Sequence, residues 1–416
     1  DKRDRIFVLT DVLNEPDDTM SLIRLLTHAD HFEVEGLVAT TSFWLPNETH
    51  PEHIKELIGT YALVRDNLQS HSNRSFPTPE YLTSRVGTGP DVYGMEAIKA
   101  LEARGNLTDG AQLLIERTDA SDEPLYVQMW GGANALATVL WSVNRTRSAD
   151  ELETFISKLR VYAISDQDDS GVWIRQHFPD MRYVTSRHGY SQYPDSTWIG
   201  MSSPGVDPGG PNNEIISSEW IEKNIKIGPL GSLYPEIDWI VEGDTPALLY
   251  NLQTGLGNPE YPNWGNWGGR YTANPFNSSA QFGQASDVVI GQNGLEYTSN
   301  KATIWRWRQQ YQDEFAARIQ WTLAPNGPDS NATHPPVVVV NGSCGSSSLM
   351  YNVHVGDVIT LDASSSYSPD ANANLNITWF HYREPTSYQF SPTVVPEIEI
   401  TYPEASGRTV TFTIPE

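Results

Sequence analysis

The segment Leu9-Thr10-Asp11-Val12-Leu13-Asn14-Glu15-Pro16-Asp17-Asp18 places four acids, Asp11, Glu15, Asp17 and Asp18, within eight residues. Carboxylates this crowded repel one another unless a positive charge holds them, and oxygen-only ligands suit a hard cation, calcium or magnesium. The same residues also suit a helix start. Pro16 belongs in a first turn, and Asp17 and Asp18 gain from the positive end of the helix or simply cap it. A second acidic junction lies at Trp239-Ile240-Val241-Glu242-Gly243-Asp244-Thr245-Pro246. A third, Met129-Trp130-Gly131-Gly132-Ala133-Asn134, carries glycines that let the backbone approach closely, so a carbonyl of Met129 or Trp130 could add another metal oxygen.

These junctions need a scaffold that brings distant segments together. Short β-rich apolar runs alternate with longer amphipathic stretches over the first 325 residues, which predicts a mostly parallel α/β sheet with helices on both faces. Strands are expected at Ile6–Leu9, Val34–Thr40, Leu125–Met129, Leu159–Ile164, Arg182–Thr185 and Ile237–Val241. Helices are expected through Met20, Leu22, Ile23, Leu25 and Leu26 and over Glu52–Leu68. In an open sheet of this kind ligands bind in the crevice beyond the C-terminal strand ends, where all three acidic or glycine junctions fall. Residues 326–336 have linker composition, closed by Pro335-Pro336. Beyond them, short β-rich runs at Val337–Val340, Asp357–Leu361, Asn376–Phe380, Glu397–Tyr402 and Thr409–Ile414 predict a small immunoglobulin-like β-sandwich over residues 337–416, with Trp379 in its core.

Composition narrows the partners. Acids outnumber bases by 52 to 27, a formal charge of −25, which argues against a nucleic-acid polymer or an anionic membrane as partner. No apolar run reaches the roughly 18 residues of a membrane span. The 13 tryptophans exceed what packing alone usually calls for and suit flat ligands such as sugar rings. Eight Asn-x-Ser/Thr sequons, at Asn47, Asn73, Asn106, Asn144, Asn277, Asn331, Asn341 and Asn376, together with the acidic balance, predict a mature, secreted, extracellular glycoprotein. Cys344 is the single cysteine and has no internal disulfide partner. Composition sets no oligomeric state.

Asp11 with Asp17-Asp18 resembles the N-terminal calcium-binding signature of nucleoside hydrolases. The Asn14-Glu15-Pro16-Asp17-Asp18 form resembles most closely the secreted, cellulose-binding, nucleoside-hydrolase-like branch of that superfamily. Glu35–Ser42, Ile164–Asp168, Gly243–Pro246 and Trp264–Tyr271 support the likeness, which spans about residues 5 to 271, and the C-terminal unit suits that branch. The resemblance implies that Asp11, Asp18 and Asp244 hold calcium together with a backbone carbonyl near Trp130. It also implies that Asp17 is the general base toward the attacking water and that the sugar's vicinal hydroxyls are oriented at the cation. Three departures stand out: a first loop two residues longer, Leu9 where a further Asp is usual, and Gly243 where many members carry a His that helps a nucleobase leave. Glu242 is the candidate replacement acid, and the missing His speaks against purine release. The expected activity is therefore that of a calcium-dependent glycoside hydrolase, inverting and exo-acting on the arabinofuranosides or galactofuranosides of cell-wall glycans. The alternatives are an extracellular nucleoside N-ribohydrolase and a non-catalytic carbohydrate-binding protein.

Substrate contacts are expected from Trp264 and Trp267 as stacking platforms beside Arg270, or else as packing under a long loop. Trp44, just past the strand end at Thr41, and Asn134, at the glycine junction, are further candidates. Asp166 and Asp168 could contact sugar hydroxyls, supply the acid or cap a helix. Histidine spacing gives no zinc site, and there is no nucleophile elbow, phosphate-binding loop or dinucleotide fingerprint.

Overall fold

The computed structural model describes residues 2–186, 192–273, 280–327, 330, 332–371, 373–386 and 395–415; the sequon residues Asn277 and Asn331 lie outside them. An eight-stranded sheet is built from β1 (Asp4–Thr10), β2 (Phe32–Ala39), β3 (Val86–Thr88), β4 (Leu125–Met129), β5 (Leu159–Ala163), β6 (Arg182–Thr185), β7 (Tyr271–Ala273) and β8 (Gln281–Gln284). Its order is β3-β2-β1-β4-β5-β6-β8-β7, with every pairing parallel except β7 with β8. The strand order reverses between β1 and β4, so their C-terminal ends open a crevice at the position where such sheets take ligands.

Central burial explains the composition of β1. Ile6 and Val8 pack into one apolar cluster with Met20, Ile23 and the helix Pro51–His71, whereas Phe7 and Leu9 pack into the other with the helix Asn134–Thr146. Both faces are covered, so the strand reads as a continuous apolar run rather than an alternating one. Each fully buried Leu, Val or Ile is worth about 1.5–3 kcal/mol, and this core holds the strand ends still. The helix Pro16–Thr27 begins where expected, with Pro16 in its first turn and Asp17 and Asp18 at its N-terminal end.

Ile237–Val241, expected as a strand, is instead a tight turn carrying only the isolated bridge Asp238–Ile240. Trp239 and Glu242 take left-handed φ angles of 63° and 55°, which no strand tolerates, and Trp239 is 81% exposed rather than packed in a sheet. The helix Thr245–Asn251 follows at once.

Beyond residue 337 the described strands form antiparallel pairs, Val339–Val340 with Ser343–Cys344 and Val358–Asp362 with Thr409–Thr413. Thr401 adds a bridge to Thr411 and Val337 one to Tyr367, but Asn376–Phe380 forms no strand. Among the described residues these are strand pairs, not two packed sheets. Trp379 is partly buried, its indole N–H donating to the Gly407 carbonyl at 2.9 Å. No helix among the described residues is long and apolar enough to cross a membrane.

Candidate metal centre and active site

Two strand ends and one turn converge on the crevice. Asp11 follows β1, Trp130 and Gly131 follow β4, and Asp244 closes the turn that leads into Thr245–Asn251. The Leu9 carbonyl ties the first two together, accepting from Trp130 N–H at 2.8 Å and Gly131 N–H at 3.2 Å. A side chain at residue 131 would find no room, since a Cβ there would lie 2.7 Å from Asp11 Oδ1. At Gly243 a Cβ would lie 2.6 Å from Asp17 Oδ2, 2.8 Å from Ile240 Cδ1 and 3.2 Å from Trp198 Cζ3. The histidine of the nucleoside hydrolase pattern therefore has no space here; Trp198 and Asp17 close over the position.

One carboxylate oxygen from each of Asp17, Asp18 and Asp244 lies within 4.8 Å of the other two, and all three residues are buried. Asp11 is buried beside them and hydrogen-bonds Ser42. Burial, followed by the mutual repulsion of these acids and Glu15, pushes all four carboxyls up: Asp11 to about 6, Asp17 to about 7, and Asp18 and Asp244 well above the usual carboxylate range. Thr10 donates to Asp18 through its hydroxyl, but among the described residues no Lys or Arg pairs with any of the four. Asp244 Oδ2 is buried without a hydrogen-bond partner. Buried carboxylates converging without a cationic side chain among the described residues, one of them with an orphaned oxygen, fit a hard divalent cation, and opposite ligands of calcium stand about 5 Å apart.

The geometry divides the expected ligands and catalytic groups differently from the sequence. The close trio contains Asp17 in place of Asp11. The Trp130 carbonyl, expected as a ligand, already accepts a hydrogen bond from Gln167 Nε2, which uses one of its lone pairs. Glu242 is not placed to be an acid. Its carboxylate is fully buried and gripped by Arg24 at 2.5 and 3.0 Å, by the Tyr234 hydroxyl at 2.8 Å and by the Thr245 hydroxyl at 2.7 Å. Both of its oxygens are taken up by these four hydrogen bonds, which leaves no edge turned toward a ligand in the crevice. Its chemistry is to hold the turn that presents Asp244.

The expected sugar contacts separate in the same way. Thr41 and Asn134 are buried and bonded to each other at 2.8 Å, joining the ends of β2 and β4, although Asn134 Oδ1 has no partner. Asp166 gives both carboxylate oxygens to Arg175, at 2.8 and 2.6 Å. Asp168 is buried next to Gly132, accepts from Ser170 N–H at 2.8 Å and is pushed up to about 7 by burial, with Oδ2 unpartnered. Arg270 is locked to Asp287 at 2.7 Å in a cluster with Arg306 and Tyr382, away from the four acids. Trp264 stacks on Tyr261, centroids 4.4 Å apart, and the adjoining Glu260 binds Tyr126, Arg160 and Arg182 near the N-terminal ends of β4, β5 and β6. That is the end of the sheet opposite the acids. Trp267 is partly buried against the core. Trp44 remains at the mouth, 49% exposed.

Several participants were not singled out from sequence. Arg24 on the apolar helix Pro16–Thr27 was the one with a visible signal, a charge among core positions; Thr10 and Trp198 had none.

Fold and site together define a nucleoside-hydrolase-like α/β protein. Residues 5–271 match the family model described as cellulose-binding Sde182, nucleoside hydrolase-like domain, and residues 358–416 match that of the cellulose-binding protein Sde0182, C-terminal domain; the chain belongs to this family. A nucleoside hydrolase-related protein of Saccharophagus degradans, described as associated with carbohydrate metabolism, is similar over 100% of this chain and 92% of its own at 30% identity and a TM-score of 0.81. An inosine-uridine preferring nucleoside hydrolase of Bacillus anthracis is similar at 12% identity over 76% of this chain and 100% of its own, with a TM-score of 0.37. No curated protein sequence matches the chain.

Proposed function

We propose that this protein is a secreted, calcium-dependent glycoside hydrolase that removes furanosyl units, arabinofuranose or galactofuranose, from a cell-wall glycan with inversion. The observation that carries the proposal is the cluster of four buried acids, without a cationic partner among the described residues, at the strand-order reversal, where Asp17 is the most accessible member. Asp11, Asp18 and Asp244 would hold the ion, with an oxygen of Asp17 in reach. When bound, calcium would neutralise the acids and supply Lewis acidity toward water and the sugar hydroxyls. Asp17 takes the proton of the attacking water, because it is the most accessible of the four acids. Asp168, whose burial favours the protonated form near neutral pH, is the candidate donor to the leaving oxygen in place of Glu242. Secretion is supported by the six described sequon asparagines, all of which are exposed.

A screen of aryl furanosides, aryl pyranosides and nucleosides, with calcium and with chelator, tests the activity, and NMR of the first-formed sugar tests inversion. Chelator-sensitive release from furanosides alone is the expected result; release from nucleosides alone would replace the substrate class. A second proposal, a non-catalytic carbohydrate-binding protein, is favoured by the cellulose-binding description of the family and predicts no turnover of any of these substrates.

A further inference from the structure

Trp264 and Trp267 leave the acidic crevice without the aromatic surface expected of them, but other rings supply one. Trp198 is pinned by its indole N–H, which donates to Ser165 Oγ at 2.7 Å just beyond β5, and its ring edge closes on the same point above Gly243 as Asp17 Oδ2. Tyr193 stands next to it, ring centroids 6.2 Å apart and planes inclined at 61°, and Trp44 follows Tyr193 at 6.1 Å and 43°. Phe43 braces Trp44 edge-on at 5.0 Å. The three rings form one wall that runs from the acids to solvent.

The outer end of the wall has a fixed backbone, and Trp44 on it is half exposed. Ser42 Oγ accepts from Trp44 N–H at 3.0 Å and from Leu45 N–H at 3.1 Å, while Ser42 also hydrogen-bonds Asp11. Phe43 N–H donates to the Gln167 carbonyl at 2.7 Å. An indole held on a rigid turn, half in water and in line with a buried acidic pocket, loses apolar burial that a core position would give it. Its placement suits a ligand with flat C–H faces and hydroxyl edges. Charge selects further: with a net −25 on the chain, an anionic ligand is repelled.

We propose that Trp44, Tyr193 and Trp198 form an extended subsite for a neutral glycan, on which the sugar units next to the cleaved one lie as the chain leaves the crevice. The proposal rests on the carbohydrate reading of the acidic cluster and adds the direction in which the polymer runs. The ring-to-ring steps of 6.1 and 6.2 Å are about the length of one sugar unit.

Calorimetric titration of the full chain with calcium, using cello-oligosaccharides and arabino-oligosaccharides of two to six units as probes, tests it. Affinity for at least one series should rise with length. Trp44→Ala should lower affinity for the longer members about three- to tenfold, the scale of one aromatic contact, and abolish the length dependence. Trp198→Phe should weaken all members of that series, and Trp264→Ala, at the other end of the sheet, should bind as the unaltered protein does. Unchanged binding by Trp44→Ala, or a loss produced by Trp264→Ala instead, overturns the subsite, as does failure of the unaltered protein to bind either series. Aryl-furanoside hydrolysis measured on the same samples separates the two proposals: turnover without oligosaccharide binding removes the subsite alone, whereas Trp44-dependent binding without turnover removes the hydrolase alone.

Discussion

Asp17 and Asp18 are neighbours on one helix turn, yet their surroundings give them different chemistry. Asp18 accepts a hydrogen bond from the Thr10 hydroxyl, while Asp17, with Oδ2 beside Gly243, is the more accessible of the two. Asp17→Asn should cut turnover by about 10² to 10⁴, the usual worth of a general base. It should leave the calcium-free protein no less stable, because one of four mutually repelling acids is gone. Rate assays beside thermal melts check this, and near-full turnover would remove Asp17 from the role. Asp18→Asn should instead abolish most of the stabilisation by calcium, read as the shift in melting temperature on adding the ion. Residue identity alone does not distinguish the two positions; their contacts do.

At the scale of the element, the turn Asp238–Asp244 is the least regular part of the site, and its geometry depends on one buried ion pair. Glu242 sits at a left-handed φ of 55°, and its carboxylate is bound by Arg24, Tyr234 and Thr245. Arg24 also donates to the Tyr311 carbonyl at 2.8 Å and the Gln312 side chain at 2.5 Å, so the pair ties the helices Pro16–Thr27 and Arg308–Trp321 to the turn. Glu242→Gln strands a guanidinium in the core and should cost about 3–5 kcal/mol, seen in denaturant unfolding, with weaker calcium stabilisation because Asp244 follows two residues later. Were Glu242 the proton donor, the same substitution would abolish turnover and leave unfolding unchanged. Strain and burial concentrate here because the turn must present Asp244 without a strand to support it.

Across the whole molecule, the proposed calcium site and the buried titratable groups make stability depend on the ion and on pH. An ion that binds only the folded chain should stabilise it by about 2.7 kcal/mol at a hundredfold excess over its dissociation constant, so the melting temperature should climb with calcium and fall again with chelator. Acid acts elsewhere. His28 is buried and His31 partly buried beside Arg318, whose guanidinium donates to His31 Nε2 at 2.5 Å, with Arg24, Arg74 and Arg3 adding positive charge and Asp30 opposing it. Burial first, and these cations second, push His31 down to about 3 and His28 well below its usual value. The unfolded chain therefore takes up protons below about pH 6.5 that the folded chain refuses, and the stability these rings contribute at neutral pH is lost as pH falls from about 6.5 toward 3. Asp4 and Asp168, raised to about 6 and 7, act in the opposite sense, favouring the folded state at low pH and losing that contribution as pH rises. Melting curves of the unaltered protein and of His31→Asn between pH 7 and 4.5 separate the terms: the variant should lose less stability across that window, and an equal loss would remove His31 as a cause.

Much of the scaffold was readable from local pattern. Apolar runs bounded by turns marked β1, β4, β5 and β6, and the acids after β1 marked the crevice, because strand burial and helix starts are dictated by residues close in sequence. Ile237–Val241 misled for the same reason: an apolar run satisfies a strand pattern whether or not a neighbouring strand exists to pair with it. Asp11, Asp17, Asp18 and Asp244 are acids anywhere, but their meeting in one buried cluster depends on parallel crossovers that place residues more than two hundred positions apart side by side. Pairing of side chains was decided only by the tertiary structure. Arg24 pairs with Glu242, Arg175 with Asp166, and Asp287 with Arg270. Trp44, Tyr193 and Trp198, in segments with no periodicity, line up because the segments after β2 and β6 leave the sheet at the same end. Sequence determines which groups the chain carries and where its strands and helices form; which charges remain unpaired, and which rings stay in water, follows from distances that exist only once the sheet is assembled.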